Sequence, residues 1–229
     1  MRQVVLDTET TGLEVRENHR IIEVGCIELV GRRVTDRTFH HWINPEREID
    51  AGATAVHGLR LEDLANKPRF GEIVDDLLDF VRDAEVIIHN APFDVAFLDA
   101  ELGRLGRPRF ESACRVTDTL RLAREMHPGK RNSLDALCER YGVSNRHRTL
   151  HGALLDAGLL AEVYLAMTRG QDSLAMDLQP ASATDATLTV DVARLARVEA
   201  DPDEARAHEA ILDAIERESK RCVWRQAEA

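Results

Sequence analysis

The sequence predicts an α/β domain, a mixed five-stranded sheet flanked by helices, followed by a flexible C-terminal tail. Three observations predict it. Val4-Val5-Leu6-Asp7-Thr8-Glu9 is an apolar run that ends in two acids and meets a turn at Thr10-Thr11-Gly12, as a buried strand does where it leaves a sheet. Further strand-like runs alternate with segments of helical spacing, first as a hairpin and then as strand, helix, strand. Beyond Gly170 the composition shifts to Ala, Ser, Thr and charge, which reads as a linker and a tail.

In order, Val4 to Glu9 is the first strand, and a polar loop from Glu14 to Arg20 follows its turn. Ile21 to Val30 and Val34 to Ile43 make a hairpin about Gly31-Arg32, and Asn44-Pro45 ends it. Short helical pieces fill Glu46 to Lys67. A helix then follows Phe70, with Ile73, Leu77, Leu78 and Val81 on its buried stripe. Glu85 to His89 is a buried strand, and Asn90-Ala91-Pro92 turns into a helix with proline in its first turn. Asp94, Phe97, Leu98, Leu102 and Leu105 share one face of that helix, with Glu101 as a blemish. Ala113 to Val116 is a short strand, Thr117 to Glu125 a helix, and Met126 to Asn132 a loop. Ser133 caps the next helix. Tyr141 to Leu150 is a polar connection containing Arg146, His147 and Arg148. His151-Gly152-Ala153 opens a long helix to about Thr168, in which Asp156 heads a stripe of Leu159, Leu160, Val163 and Met167. After the linker, a charged helix from about Asp203 to Lys220 carries Ala207, Ile211, Leu212 and Ile215, and Cys222-Val223-Trp224 is an exposed apolar tip.

The bulk properties bound the function. A chain of 229 residues, 44% hydrophobic and 31% charged, builds one domain with a remainder, divided here as residues 1–170, 171–200 and 201–229. No apolar run spans a bilayer and no signal peptide is evident, so a cytoplasmic protein without a membrane partner is expected. Cys26, Cys114, Cys138 and Cys222 form no C-x-x-C pair, which argues against disulfides and zinc. The net charge of −11 is unusual for a nucleic-acid binder, but −6 of it falls on residues 171–229. Two bound divalent ions would leave the first 170 residues near neutrality, with affinity for nucleic acid that a partner would need to reinforce.

The chemistry rests on acids that point inward. On a strand Asp7 and Glu9 share a face about 6.6 Å apart. Like charges so placed raise one another's pKa unless a cation lies between them, although a solvated acidic loop is the simpler alternative. Asp94 heads an apolar stripe and needs a metal, an arginine or its own helix N-terminus as partner. Asp156 does the same on the last long helix. His151, five residues earlier, falls on another face and approaches from the preceding loop, titrating near neutrality. Oxygen donors select Mg²⁺ or Mn²⁺, and two such ions suit in-line displacement at phosphorus, with His151 taking the proton of the attacking water.

Asp7-Thr8-Glu9-Thr10-Thr11-Gly12, His89-Asn90-Ala91-Pro92-Phe93-Asp94 and His151-Gly152-Ala153-Leu154-Leu155-Asp156 resemble, in order and spacing, the three motifs of the DnaQ-like DEDDh exonucleases. Residues 130 to 168, beginning Lys130-Arg131-Asn132-Ser133-Leu134-Asp135, resemble the proofreading branch of that family. The resemblance implies a ribonuclease H-like fold and 3′→5′ removal of 5′-mononucleotides from single-stranded or frayed DNA ends. It makes Asp7, Glu9, Asp94 and Asp156 the ligands of two metals and His151 the general base. It puts Asp7, Glu9, Thr10, Leu13, Val56, His57, Asn90, Phe93 and Asp156 against the 3′-terminal nucleotide. Gln171, Leu174 and Met176 resemble a sliding-clamp peptide, and the segment around Trp224 resembles the part that binds the alpha subunit of DNA polymerase III. The alternatives are a related nuclease acting on RNA or in repair, and a non-catalytic adaptor between polymerase and clamp. The tail argues against the first and the full catalytic set against the second.

Overall fold

The computed structural model describes residues 1–145, 150–169 and 201–226. The chain divides into two units, Met1–Leu178 and Gln179–Ala229. In the first, strands β1 (Arg2–Thr10), β2 (Ile21–Val30), β3 (Arg33–Trp42), β4 (Glu85–Ile88) and β5 (Arg115–Asp118) form one sheet in the order β3-β2-β1-β4-β5. The pairs β1–β2 and β2–β3 are antiparallel, while β1–β4 and β4–β5 are parallel. Gly31 and Arg32 both take positive φ, 56° and 62°, which gives the hairpin a turn whose twist matches its strands.

β1 is central and covered on both faces. Val4 and Leu6 pack with α3 (Phe70–Val81) and α4 (Ala91–Arg104), in one cluster with Phe70, Leu77, Phe97 and Leu98. Val5 faces the other way, onto Ala157, Leu160, Ala161 and Tyr164 of α7 (Ala153–Met167). Behind α7, Ala123 of α5 (Thr119–Met126) and Leu137 and Cys138 of α6 (Leu134–Tyr141) meet Leu159, Val163 and Met167. The short helices α1 (Ala51–His57) and α2 (Leu61–Leu64) occupy the stretch expected to hold helical pieces. Ser133 caps α6 by accepting from the Ala136 N–H at 3.3 Å.

Several boundaries differ from expectation. β5 begins two residues later than predicted because Phe110–Ser112 forms a 3₁₀ turn, onto which the Ala113 N–H closes at 3.0 Å. Thr117 is consequently a strand residue paired with Ile87, and α5 starts only after Asp118, which accepts from the Leu120 N–H. His89 lies outside β4, whose last residue is Ile88. Leu105 lies beyond α4 and is exposed. Glu101 is no blemish: it is buried, and Arg20 reaches it through Nε at 2.5 Å and Nη2 at 2.7 Å. A buried carboxylate held by a two-point guanidinium is satisfied where a lone one would be costly.

In the second unit α8 (Pro202–Ser219) starts at a capping box, Asp201 accepting from the Asp203 and Glu204 N–H groups while Glu204 accepts from the Asp201 N–H. Arg225 bonds Glu209, Asp213 and Glu216 at 2.6 to 2.7 Å, tying the 3₁₀ turn Val223–Gln226 back to the helix. Ile211, Ile215, Val223 and Trp224 are exposed; Cys222, expected in the exposed tip, is buried, as is Leu212. Among the described residues no helix is long and apolar enough to cross a membrane.

Candidate active site

The pleat of β1 sends Asp7 and Glu9 to the face that packs on α7, the face Val5 occupies. Across the ladder Asp7 stands opposite Gly25. A Cβ at Gly25 would lie 2.3 Å from the Leu154 backbone nitrogen, so glycine is what lets the first turn of α7 rest on β2. That approach brings Asp156, which is buried, to the end of β1. Gly152 caps α7 in extended conformation, and His151 leaves the helix there. Its N–H donates to the Val56 carbonyl at the end of α1 (3.1 Å), and its Nδ1 lies 3.1 Å from Asp156 Oδ2. The imidazole is 42% exposed, which leaves it in reach of a ligand. One donor atom from each of Glu9, His151 and Asp156 falls within 4.8 Å of the others.

Asp94 comes from the opposite face of the sheet. Thr8 points to that face between the two strand acids, and both its N–H (3.1 Å) and its hydroxyl (2.7 Å) donate to Asp94 Oδ1. Burial pushes the Asp94 carboxyl up to about 7 despite these bonds, and the charge of Asp118 adds to the rise. Asp118 also anchors the start of α4, where it accepts from the N–H of Asn90 at 3.1 Å. Asn90 itself takes φ 67° to turn the chain from β4 into the helix. Oxygen donors crowded about one imidazole, with one carboxyl reluctant to ionise in the bare protein, suit a hard divalent cation.

Asp7, Glu9, Leu13, Asn90, Phe93, Asp94, His151 and Asp156 line one cleft of about 940 Å³. Glu9, Thr10, Leu13, Val56, His57 and Phe93 line an adjoining cavity of about 530 Å³. Every residue proposed from the sequence for metal, base or terminal nucleotide thus borders one of these two spaces. His57 is buried, and burial pushes its pKa down. Its Nδ1 accepts from the Leu59 N–H at 3.0 Å, so the neutral ring carries its proton on Nε2, which has no hydrogen-bond partner among the described residues. Gly12 is required for a reason beyond its turn: a Cβ there would lie 2.2 Å from the buried ring of His19, whose Nδ1 meets the Thr11 hydroxyl at 3.0 Å. Gln171, Leu174 and Met176 lie outside the described residues, as do Arg146, His147 and Arg148. Trp224 is in the second unit, 74% exposed.

Sequence reasoning missed Thr8, Gly25 and Glu23. Glu23 is buried opposite Glu9 on β2 and meets His40 Nε2 at 2.7 Å, which adds a further acid beside the two at the end of β1. An isolated glycine within a strand was the available signal for Gly25. Thr8 and Glu23 offered none, because their partners are distant in the chain.

Residues 4–164 match the RNase T family, described as Exonuclease. The chain is 49% identical to DNA polymerase III subunit epsilon of Salmonella typhimurium, covering 98% of this chain and 97% of that protein. It is 48% identical to the Escherichia coli K12 protein of the same name, with the same coverage. Among solved structures, exonuclease X in complex with 5′ overhanging duplex DNA aligns with a TM-score of 0.58 and 23% identity, over 73% of this chain and 91% of that one. Exonuclease I aligns with a TM-score of 0.65 and 15% identity, over 76% of this chain and 42% of that one, a likeness of fold. The mixed sheet, the acid-lined cleft at its end and these matches together identify the chain as a member of the RNase T exonuclease family, among the DNA polymerase III epsilon subunits.

Proposed function

We propose that this chain is the 3′→5′ proofreading exonuclease of DNA polymerase III, hydrolysing the last phosphodiester of a DNA strand to release a 5′-mononucleotide. The observation that carries the reading is the meeting of Glu9, His151 and Asp156 within 4.8 Å at the end of β1, beside a cavity fit for one nucleotide. Asp7, Glu9, Asp94 and Asp156 would hold two divalent cations, Mg²⁺ or Mn²⁺. What such ions supply when bound is a lowered pKa for the attacking water and neutralised charge on the leaving oxygen.

The protein's own groups do the rest. With Nδ1–H donated to Asp156, His151 takes the water proton at Nε2 as the new P–O bond forms and the bond to the upstream O3′ breaks. Leu13, Val56 and Phe93 offer apolar surface to the terminal nucleoside, His57 lines the same cavity, and the exposed side chain of Asn90 offers a polar contact. Because Asp94 and Asp156 are buried, the reacting phosphate must enter the cleft, which favours a frayed, mismatched end over a paired one.

The tail extends the reading to partners in the cytoplasm. Trp224, exposed with Ile211, Ile215 and Val223, is the aromatic anchor for the polymerase alpha subunit. Gln171, Leu174 and Met176 are the clamp-binding residues, on the strength of their sequence pattern alone. Incubation of the purified chain with a 5′-labelled mismatched primer in Mg²⁺ or Mn²⁺ tests the chemistry: stepwise shortening with release of 5′-mononucleotides is expected, and an unshortened primer in both metals overturns it.

A further inference from the structure

The cleft has more room than one nucleotide needs, and its two walls differ in charge. The adjoining cavity of about 530 Å³ already suits a ligand of mononucleotide size, so the cleft of about 940 Å³ is open to the strand behind it. Away from the catalytic acids, that cleft is lined by Arg124 from the end of α5, by His127 and Lys130 from the loop that follows, and by one acid, Asp135 of α6. Arg124 and Lys130 are exposed, and among the described residues neither forms an ion pair. Their neighbour Arg121 is paired with Glu125, and Arg140 is committed to the loop itself.

The loop is built, not merely solvated. Asn132 is buried, and its Nδ2 donates to the carbonyls of His127 (3.3 Å) and Lys130 (3.2 Å). Arg140 donates in turn to Asn132 Oδ1 (3.0 Å) and to the Arg131 carbonyl (2.7 Å). His127 Nε2 meets the Tyr141 hydroxyl at 2.7 Å, and Gly129 supplies the turn at φ 73°. Two uncommitted cations on a fixed backbone, in a protein of net charge −11, face the one cleft where a polyanion is expected. The fixed backbone sets where the Lys130 side chain starts, and both side chains are free to reach a phosphate.

We propose that Arg124 and Lys130 form a phosphate subsite for the strand upstream of the terminal nucleotide, gripping phosphodiesters 5′ to the bond that is cut. This rests on the exonuclease reading and sets the direction of the strand: the 3′ nucleotide lies between Leu13, Val56 and Phe93, and the preceding chain leaves along the α5–α6 loop. The subsite recognises backbone and not base, so it serves any sequence.

The test compares two substrates. Thymidine 5′-(p-nitrophenyl phosphate) has no upstream phosphodiester, whereas a labelled single-stranded oligonucleotide has many. Arg124→Ala and Lys130→Ala should each lower kcat/KM on the oligonucleotide, relative to the ester, by about fivefold, and Lys130→Arg should restore most of the loss. Each alanine should also flatten the dependence of log KM on log salt by about 0.7. An unchanged ratio and slope, with the parent protein active, overturns the subsite alone. Equal losses on both substrates also overturn it, because the residues would then act on the reaction centre or on the structure. A parent protein that cleaves neither substrate overturns the exonuclease reading, and the subsite with it.

Discussion

Asp94 shows how a single side chain reports on the whole site. Its carboxyl, raised from 3.8 to about 7 chiefly by burial, stays protonated in the folded metal-free protein over a range where the unfolded chain has released its proton. The native state then binds more protons, so stability falls as pH rises from about 4 through about 7, and the cost persists above. In EDTA, Asp94→Asn, which keeps an oxygen for Thr8 to bond, should therefore raise Tm over the parent at pH 8 and lose that advantage near pH 4. A parent Tm no lower than the variant's at pH 8 would contradict it. The role proposed for His151 lies in the chemical step. His151→Ala should slow hydrolysis by about 10²–10⁴-fold and remove the pH dependence it imposes, while calorimetry still finds metal bound; loss of both metals would make it a ligand instead. At this scale the acids were legible because each heads an apolar stripe or ends an apolar strand, a pattern that costs free energy unless used. Thr8 was not, since nothing local marks a threonine whose partner is 86 residues away.

Elements carry the site through two contacts between neighbouring backbones. The first is Gly25 under α7, and the second is the His151 N–H on the Val56 carbonyl, which joins the segment before α7 to the helix lining the smaller cavity. A methyl at Gly25 has no flexible side chain to displace; it meets the backbone of Ala153 and Leu154. Gly25→Ala should cost about 1–3 kcal/mol, read as a lower denaturation midpoint, and should depress nuclease activity even where the protein remains folded. Unchanged stability and activity would show that α7 tolerates being lifted. The strand segments, the hairpin and most helices were legible from periodicity, whereas the order β3-β2-β1-β4-β5 was not, because it rests on pairings distant in the chain. The offset in β5 was not, because Ala113 and Cys114 look as apolar as a strand, and only the 3₁₀ turn before them moves the pairing two residues on. The Arg20–Glu101 pair was equally hidden, joining the loop before β2 to the far end of α4.

At the scale of the whole molecule, the proposed function falls on two units, the first for hydrolysis and the second for attachment. Both cavities are lined by residues before 160, and the exposed Trp224 stands on a unit of its own. Removing residues 201–229 should leave exonuclease activity within about twofold and abolish co-purification with the polymerase alpha subunit; a surviving complex would put the anchor elsewhere. The tail's chemistry was legible only as composition and short motifs, since most of its apolar residues, Ile211, Ile215, Val223 and Trp224 among them, are exposed and form no core whose periodicity could be read. The central claim is that this chain edits DNA ends through the acids at the end of β1. The most direct measurement is the rate at which 5′-labelled primers, paired or mismatched at the 3′ end, shorten in Mg²⁺ with the parent chain and with Asp7→Ala. Faster loss of the mismatched end, abolished in the variant, is the predicted result. Equal rates on both ends would contradict the editing role, and shortening that survives Asp7→Ala would contradict the site.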